Sequence, residues 1–276
     1  MTSASAEVLS FLAARAIPHV EEARPSGLRR SFTFDGTTGV IDVSVTDSDV
    51  RVSCDEGNAL EAAATETTSR VFDVGGDSTA AVALLERDPK LRPFVTAKPD
   101  MRIPGVFDAT EGAVRAVVGQ QVSVAGARTL VGRIAERAGT PLEHPIGAVT
   151  HAFPTAQAIA SAELAGVGMP GARVRAVRSV AAAIADGAIH LSERGSSVDT
   201  FDQLLELPGI GPWTASYICM RVLGDRDAFL PSDLGVRKGA AAAGLPTEAK
   251  ELIAHAERWR PFRAYAVMYL WLASSL

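Results

Sequence analysis

The spacing of apolar positions changes twice in the first hundred residues. Over Ala6–Ala16, Val8, Leu9, Leu12 and Ala13 fall on one side at helical spacing. From Arg29 to Cys54 the period becomes two, in "SFTF", "GVIDVSV" and "VRVSC", with breaks at Asp35-Gly36 and at the polar "TDSD". This predicts antiparallel strands packed by one or two helices. "RVFDVGGDSTAAVALLERD" then turns at Gly75-Gly76 and enters a helix capped by Asp77 or Ser78.

From Asp108 onward the pattern is helical almost throughout and rich in alanine. "ATEGAVRAVVGQQVSVAGARTLVGRIAERAG" predicts a Thr110 cap, two helices around "GQQVS" and a stop at Gly139. "PTAQAIASAEL", "MPGARVRAVRSVAAAIADG" and "SVDTFDQLLEL" follow as helices separated by Gly and Pro. Short connections and small contact residues predict a compact helical array with no fixed-period repeat. The fold class is mostly α with an N-terminal α+β domain.

Composition narrows the function little. The 276 residues, 47% hydrophobic and 21% charged, are ordinary for a globular protein. No apolar run is long enough to cross a bilayer, and Met1–Glu7 is too polar for a signal peptide, so a reduced cytoplasmic setting is expected. Two cysteines, Cys54 and Cys219, exclude a disulfide framework or a four-thiolate cluster, and His19, His144, His151, His190 and His255 show no metal-ligand spacing. Charge is uneven. Residues 1–100 carry 10 Lys/Arg against 16 Asp/Glu, whereas residues 101–276 carry 17 against 16. A polyanion surface is therefore expected in the second part.

"LPGIGPWTASYICMRVLGDRDAFLPSDLGVRKG", residues 207–239, holds the candidate chemistry. It reads as a glycine hairpin between helices, with Pro212 in the first turn of the second. Gly209 and Gly211 offer unusual backbone angles and close approach, and N–H groups at a helix start form an anion site. A dinucleotide fingerprint needs a preceding strand and a third glycine. A Walker loop needs Gly-Lys-Ser/Thr. Neither is present, which leaves an ordinary αα turn or a phosphate-binding hairpin. Asp233 reads locally as an N-cap, with Ser232 as an alternative.

Leu207-Pro208-Gly209-Ile210-Gly211, Thr214-Ala215 and Asp233 together resemble the helix–hairpin–helix DNA glycosylase superfamily. "FLAARA", "RIPGVFDATEGAVRAVVGQQVSVAGA", "LAGVGMPGARVRAV" and "ERWRPFRAYAVMYLW" extend the resemblance over nearly the whole chain, in order. Within the superfamily they most resemble the bacterial 3-methyladenine DNA glycosylase II (AlkA-like) family. The resemblance implies three parts: an α+β domain at 1–84, a helical domain with the hairpin at 109–225, and a second helical lobe combining 85–108 with 226–276. The cleft is expected between the helical lobes, with the hairpin at one lip.

The implied activity is monofunctional hydrolysis of the N-glycosidic bond of alkylated purines, of 3-methyladenine and 7-methylguanine type, in duplex DNA. The rivals are a non-catalytic damaged-DNA-binding module, a strand-nicking lyase and a glycosylase for other lesions. Lyases of the superfamily carry a nucleophilic lysine where Trp213 stands, and an indole forms no Schiff base. The iron–sulfur branch needs four clustered cysteines, so no iron–sulfur cluster and no required cofactor are expected. Asp233 is the implied catalytic acid, a role compatible with capping. Phe11, Trp213, Tyr217 and Trp271 are implied to line the base pocket, with core packing as the alternative for Phe11 and Tyr217. Gln121, where the best-known member has leucine, is the implied wedge, against a plain polar turn residue. Gly209, Gly211 and Thr214 are implied to hold phosphate. The carbonyls of Leu205, Leu207 and Ile210 are implied to bind a sodium or potassium ion. Two positions depart from expectation: Pro212 stands where a basic residue could meet phosphate, and Leu234 where an aromatic could line the pocket. A monomer acting on DNA is expected, with no membrane partner.

Overall fold

The structure, a computed structural model, describes residues 3–46, 49–192 and 196–275. Met1-Thr2 and Asp47-Ser48, the middle of the expected "TDSD" turn, lie outside them. Helix α1 (Ala4–Ala13) begins at Ser3, whose hydroxyl accepts from the Ala6 N–H at 3.2 Å, and ends earlier than its apolar pattern predicts. It buries Val8 and Leu9 beside an antiparallel sheet ordered β1 (Glu21–Arg24), β2 (Gly27–Phe34), β3 (Thr37–Val45), β4 (Val50–Cys54). Strand β1 was not predicted, because Glu-Glu-Ala-Arg carries no apolar alternation and buries only Glu21. Asp35 (φ 47°) and Gly36 (φ 78°) close β2–β3 with the left-handed angles an Asp-Gly turn favours. Helix α2 (Asn58–Val71) covers the sheet with Leu60, Ala64, Thr68 and Val71.

Helices α3 (Thr79–Leu85) and α4 (Arg92–Ala97) lead to α5 (Ala109–Val118) and α6 (Val124–Ala138). Ser78 occupies the α3 cap position, but Asp77 supplies the bond, accepting from the Thr79 N–H at 2.8 Å. Helix α5 is capped by Asp108 rather than Thr110. The Asp108 backbone is extended and its carboxylate accepts from the Glu111 N–H at 2.8 Å, while Thr110 lies buried inside the helix. The chain after Asp108 is also less uniformly helical than its pattern predicts. β5 (Thr140–Ile146) and β6 (Val149–Ala152) form a hairpin disguised by Pro141 and Pro145. The Thr150 and His151 N–H groups anchor it on the His19 carbonyl, at 2.8 and 3.0 Å.

The remaining helices are α7 (Ala156–Ser161), α8 (Gly171–Ala185), α9 (Ser197–Leu205), α10 (Pro212–Arg221), α11 (Leu234–Ala242), α12 (Ala249–Ala256) and α13 (Arg263–Ala273). None of the described helices is long and apolar enough to cross a membrane. Three apolar clusters result. Val8, Leu28, Ile41 and Phe72 centre one on the sheet, and Val117, Ile134, Val177 and Ile218 centre another on α5–α10. Leu85, Leu91, Leu230, Trp259 and Tyr269 centre the third on α3, α4 and the C-terminal helices.

A buried ionic cluster joins the sheet to α5. Arg30 reaches Glu21 at 2.8 Å and Glu111 at 2.7 Å, and Arg115 reaches the same two carboxylates at 2.6 and 2.8 Å. Burial alone would raise the Glu111 carboxyl; the Arg30 and Arg115 guanidiniums overrule it and hold it below the usual range.

Helices α11 and α13 cross closely, with bare backbone on α11 at Gly235 and Gly239. A Cβ added at Gly239 would lie 1.8 Å from the Leu270 carbonyl oxygen, and one at Gly235 would lie 2.9 Å from the Trp271 ring. Gly239→Ala is therefore expected to destabilise the fold by about 3 kcal/mol, the upper end of ordinary overpacking, read from its urea unfolding midpoint. An unchanged midpoint would mean that the two backbones do not touch.

Candidate active site

The N-terminus of α11 holds an acid against two indoles. Asp233, with extended backbone angles, caps the helix through Oδ1, which accepts from the Val236 N–H at 2.9 Å. The same oxygen accepts from Trp271 Nε1 at 2.9 Å, and Oδ2 accepts from Trp213 Nε1 at 2.9 Å. Three donors from three helices fix the carboxylate plane. Oδ2, with a single described donor, keeps the freer lone pairs.

The aromatic residues expected from the sequence come together. Trp213 and Tyr217, one turn apart on α10, stack with ring centres 5.4 Å apart and planes 27° from parallel. Trp271 is 6.4 Å from Tyr217 and 6.3 Å from Phe11 of α1, with which it stacks at 23°. All four rings and Asp233 line one cleft of about 740 Å³, together with Val124, Met268 and Leu234. Leu234 is two-thirds exposed at the mouth. The cleft thus lies where α10 meets α11 and α13, with α1 supplying one wall. Phe11 and Tyr217 are half-buried pocket walls, although Tyr217 also packs on both helical cores.

The hairpin between α9 and α10 lies beside it. Gly209 is left-handed (φ 83°) and packs on α8, where a Cβ would come 2.8 Å from that of Ala176. Gly211 departs from expectation: its backbone is extended (φ −106°), and a Cβ there would meet open space. Any demand for glycine at 211 therefore comes from outside the fold. The Ala215 N–H is bonded to the Gly211 carbonyl at 3.0 Å, so the Trp213 and Thr214 N–H groups precede the intrahelical ladder. The Thr214 side chain is buried, and its hydroxyl accepts from Gln120 Nε2 at 2.8 Å. The same Gln120 nitrogen donates to the Gly209 carbonyl at 3.0 Å. Gln121 next to it is exposed, with a left-handed backbone (φ 54°). For a side chain without glycine's freedom that is an outlier, and it turns Gln121 out of the α5–α6 junction.

The AlkA N-terminal domain family model matches residues 4–108, running through the sheet, α3 and α4. The DNA-3-methyladenine glycosylase 2 of Escherichia coli is 33% identical over 272 residues, covering 96% of this chain and 92% of that one. The chain belongs to the DNA-3-methyladenine glycosylase 2 family. A probable bifunctional transcriptional activator/DNA repair enzyme AlkA of Mycobacterium tuberculosis is 40% identical over 268 residues, 96% of this chain. The present chain spans about half, 53%, of the length of that relative. The 3-methyladenine DNA-glycosylase from Archaeoglobus fulgidus superposes with a TM-score of 0.82 at 20% identity, over 100% of this chain and 96% of that one. The fold is accordingly that of the helix–hairpin–helix glycosylases.

Three features of this family member escaped the sequence reading. Gln120 was read only as the neighbour of Gln121. Arg15 lay inside the quoted "FLAARA" without a role, although its spacing of four from Phe11 predicts contact on one helix face. Gly235 lay in the α11 pattern, and only the position of Trp271 shows why it has no side chain. Gln120→Ala should loosen the hairpin by about 1–2 kcal/mol, since it removes two bonds and leaves the Thr214 hydroxyl unpaired. The measurement is hydrogen exchange over residues 207–214. Protection equal to that of the parent would show that Gln120 does not hold the hairpin.

Proposed function

We propose that the chain is a monofunctional DNA glycosylase hydrolysing the N-glycosidic bond of alkylated purines, of 3-methyladenine and 7-methylguanine type, in duplex DNA for base excision repair. The observation that carries this reading is a carboxylate fixed by two indole N–H groups at the wall of an aromatic cleft. An alkylated purine is a cation, and electron-rich rings attract it by about 0.5–2 kcal/mol per contact. The stacked pairs Trp213–Tyr217 and Phe11–Trp271 supply such faces.

Cleavage of the C1′–N bond sends its electron pair to the base, which leaves neutral, and positive charge develops on the sugar. Asp233, through Oδ2, stabilises that charge and orients the water whose oxygen bonds to C1′; the water's proton passes to the carboxylate and on to solvent. Trp213 offers no amine for a Schiff base, so strand cleavage by a lyase step is not part of the reaction.

Holding the DNA falls to the hairpin. Its Trp213 and Thr214 N–H groups form an anion site at the start of α10, and the open space at Gly211 admits a phosphate oxygen that a side chain would obstruct. The Leu205, Leu207 and Ile210 carbonyls, at the end of α9 and in the hairpin, are neutral oxygen donors of the kind a monovalent cation takes, and an ion held there would add positive charge beside that phosphate. Gln121, exposed and turned out by its backbone, fills the gap left by the flipped base. On this reading the protein acts as a monomer on chromosomal DNA in the cytoplasm.

Asp233→Asn should reduce base release from methylated duplex by about 10²–10³-fold or more while DNA binding persists, because size survives while the charge, and one of the two oxygens that accept N–H groups, do not. Measuring base release, and strand breakage before and after hot alkali, separates the possibilities. Turnover near the parent rate would reduce Asp233 to a helix cap, a parent protein that releases no base and leaves no alkali-labile sites would exclude glycosylase action, and strand breaks before alkali would indicate a lyase.

Gln121→Ala should weaken binding to a duplex carrying an abasic-site mimic about tenfold more than binding to intact duplex, since unstacking costs a few kcal/mol and only the flipped state needs a filler. Its salt dependence should hardly change, because glutamine neutralises no phosphate. Equal losses on both duplexes would leave Gln121 a turn residue.

A further inference from the structure

Among the described residues, two guanidiniums behind the aromatic wall, those of Arg15 and Arg221, have no carboxylate paired with them. Arg30 and Arg115 share Glu21 and Glu111, two cations against two anions. Arg15 has its guanidinium carbon 3.6 Å from the Phe11 ring centre and donates to the Phe11 carbonyl at 3.1 Å; among the described residues it forms no ion pair. Arg221 approaches the same ring to 4.6 Å, and its N–H groups go to the Pro104 and Gly105 carbonyls and to the Tyr217 hydroxyl. Arg15 borders the 740 Å³ cleft and also a cavity of about 30 Å³ beneath it, which Glu21, Arg115 and Arg221 help to line. Burial lowers the Arg15 guanidinium to about 10, with Arg221 and Arg115 pushing the same way and Tyr217 opposing, so it stays charged at neutral pH. A guanidinium has five N–H donors, and one described bond leaves Arg15 with others to turn toward the cleft.

We propose that Arg15 is a specificity-determining residue that promotes excision of bases that are neutral before cleavage and carry an oxo group, by meeting the negative charge they gain on departure. This rests on the glycosylase reading above. When the C1′–N bond breaks, its electron pair goes to the base in every case. A base alkylated at N3 or N7 begins as a cation and leaves neutral. A neutral oxo-purine leaves as an anion, with charge spread onto its oxo oxygen, until a proton balancing the one lost by the attacking water restores neutrality. A fixed cation in the wall therefore favours departure in both classes, since each base gains one unit of negative charge, but it opposes binding of the alkylated class alone. It repels the bound alkylated base and loses that repulsion on cleavage, whereas it gains attraction only as the neutral base departs. The aromatic faces draw in cations, and Arg15 limits how strongly.

The test is single-turnover base release from two duplexes, one with hypoxanthine as the neutral oxo-purine and one with 7-methylguanine as the cation. Arg15→Met, which keeps length and packing but not charge, should slow hypoxanthine release about 100-fold, the effect of removing one donor aimed at developing negative charge. For 7-methylguanine the same variant should reach half-saturation at a lower enzyme concentration. Arg15→Lys should recover most of the hypoxanthine rate. An equal fall on both duplexes in the ratio of maximal rate to half-saturating concentration, by an Arg15→Met protein that still melts cooperatively, would overturn the proposal, as would a parent protein that releases 7-methylguanine but no hypoxanthine. Should Arg15→Met not fold, Arg15→Gln carries the same comparison. A parent releasing neither base would instead remove the glycosylase reading itself.

Discussion

The site depends on how closely α11 and α13 approach. Each helix brings one element that is useless alone: α11 presents Asp233 at its N-terminus, and α13 presents the Trp271 indole. Their contact requires bare backbone at Gly235 and Gly239, four residues apart and so on one face of α11. At Gly239 the partner is the Leu270 carbonyl, so no rotamer change could relieve a side chain there. The absence of two Cβ atoms is what brings the indole N–H to 2.9 Å from the carboxylate. Capping and catalysis are not competing accounts of Asp233. The cap bond to Val236 holds one oxygen and leaves the other to Trp213 and the cleft.

A second dependence runs through the N-terminal part. Phe11 and Arg15 lie far in sequence from the hairpin, yet both border the cleft. Their position is set by the ionic cluster, in which Arg115 of α5 bonds Glu21 and also the Arg15 carbonyl at 2.6 Å. Buried ion pairs contribute little net stability against desolvation, but breaking one partner leaves an uncompensated charge and costs several kcal/mol. The cluster therefore acts as a register, locking α1 and the sheet onto α5. The α+β domain is thereby part of the pocket.

Much of this was legible in the chain itself. Period-two alternation gave β2, β3 and β4, and helical spacing with Gly and Pro breaks gave the array after Asp108. Asp233 and the four rings were named correctly as neighbours because the family resemblance ordered them; periodicity alone reads Phe11 and Tyr217 as core. What stayed hidden has physical reasons. Strand β1 is polar and β5 is interrupted by prolines, so neither shows alternation. The α5 cap fell on Asp108 because backbone angle, not residue type, decides between adjacent candidates. Gly211 was expected to use backbone angles open to glycine alone and does not, whereas Gly235 and Gly239, unremarkable in a helical pattern, carry the steric demand. Close approach between helices distant in sequence leaves no local mark.

The Gln120-Gln121 pair shows how one short segment joins two tasks. Gln120 faces inward and ties the α5–α6 junction to both ends of the hairpin turn, at Gly209 and Thr214. Gln121, one residue later, can point outward only because its backbone crosses into the left-handed region. That conformation costs about 1–3 kcal/mol for a residue other than glycine, and it persists where surrounding contacts enforce it. The two Gln120 bonds are such contacts. Anchoring the first glutamine to the hairpin thus fixes the direction of the second relative to the anion site at α10. On the proposed function, the element that would grip backbone and the element that would fill the stack are thereby set at one separation before any DNA arrives.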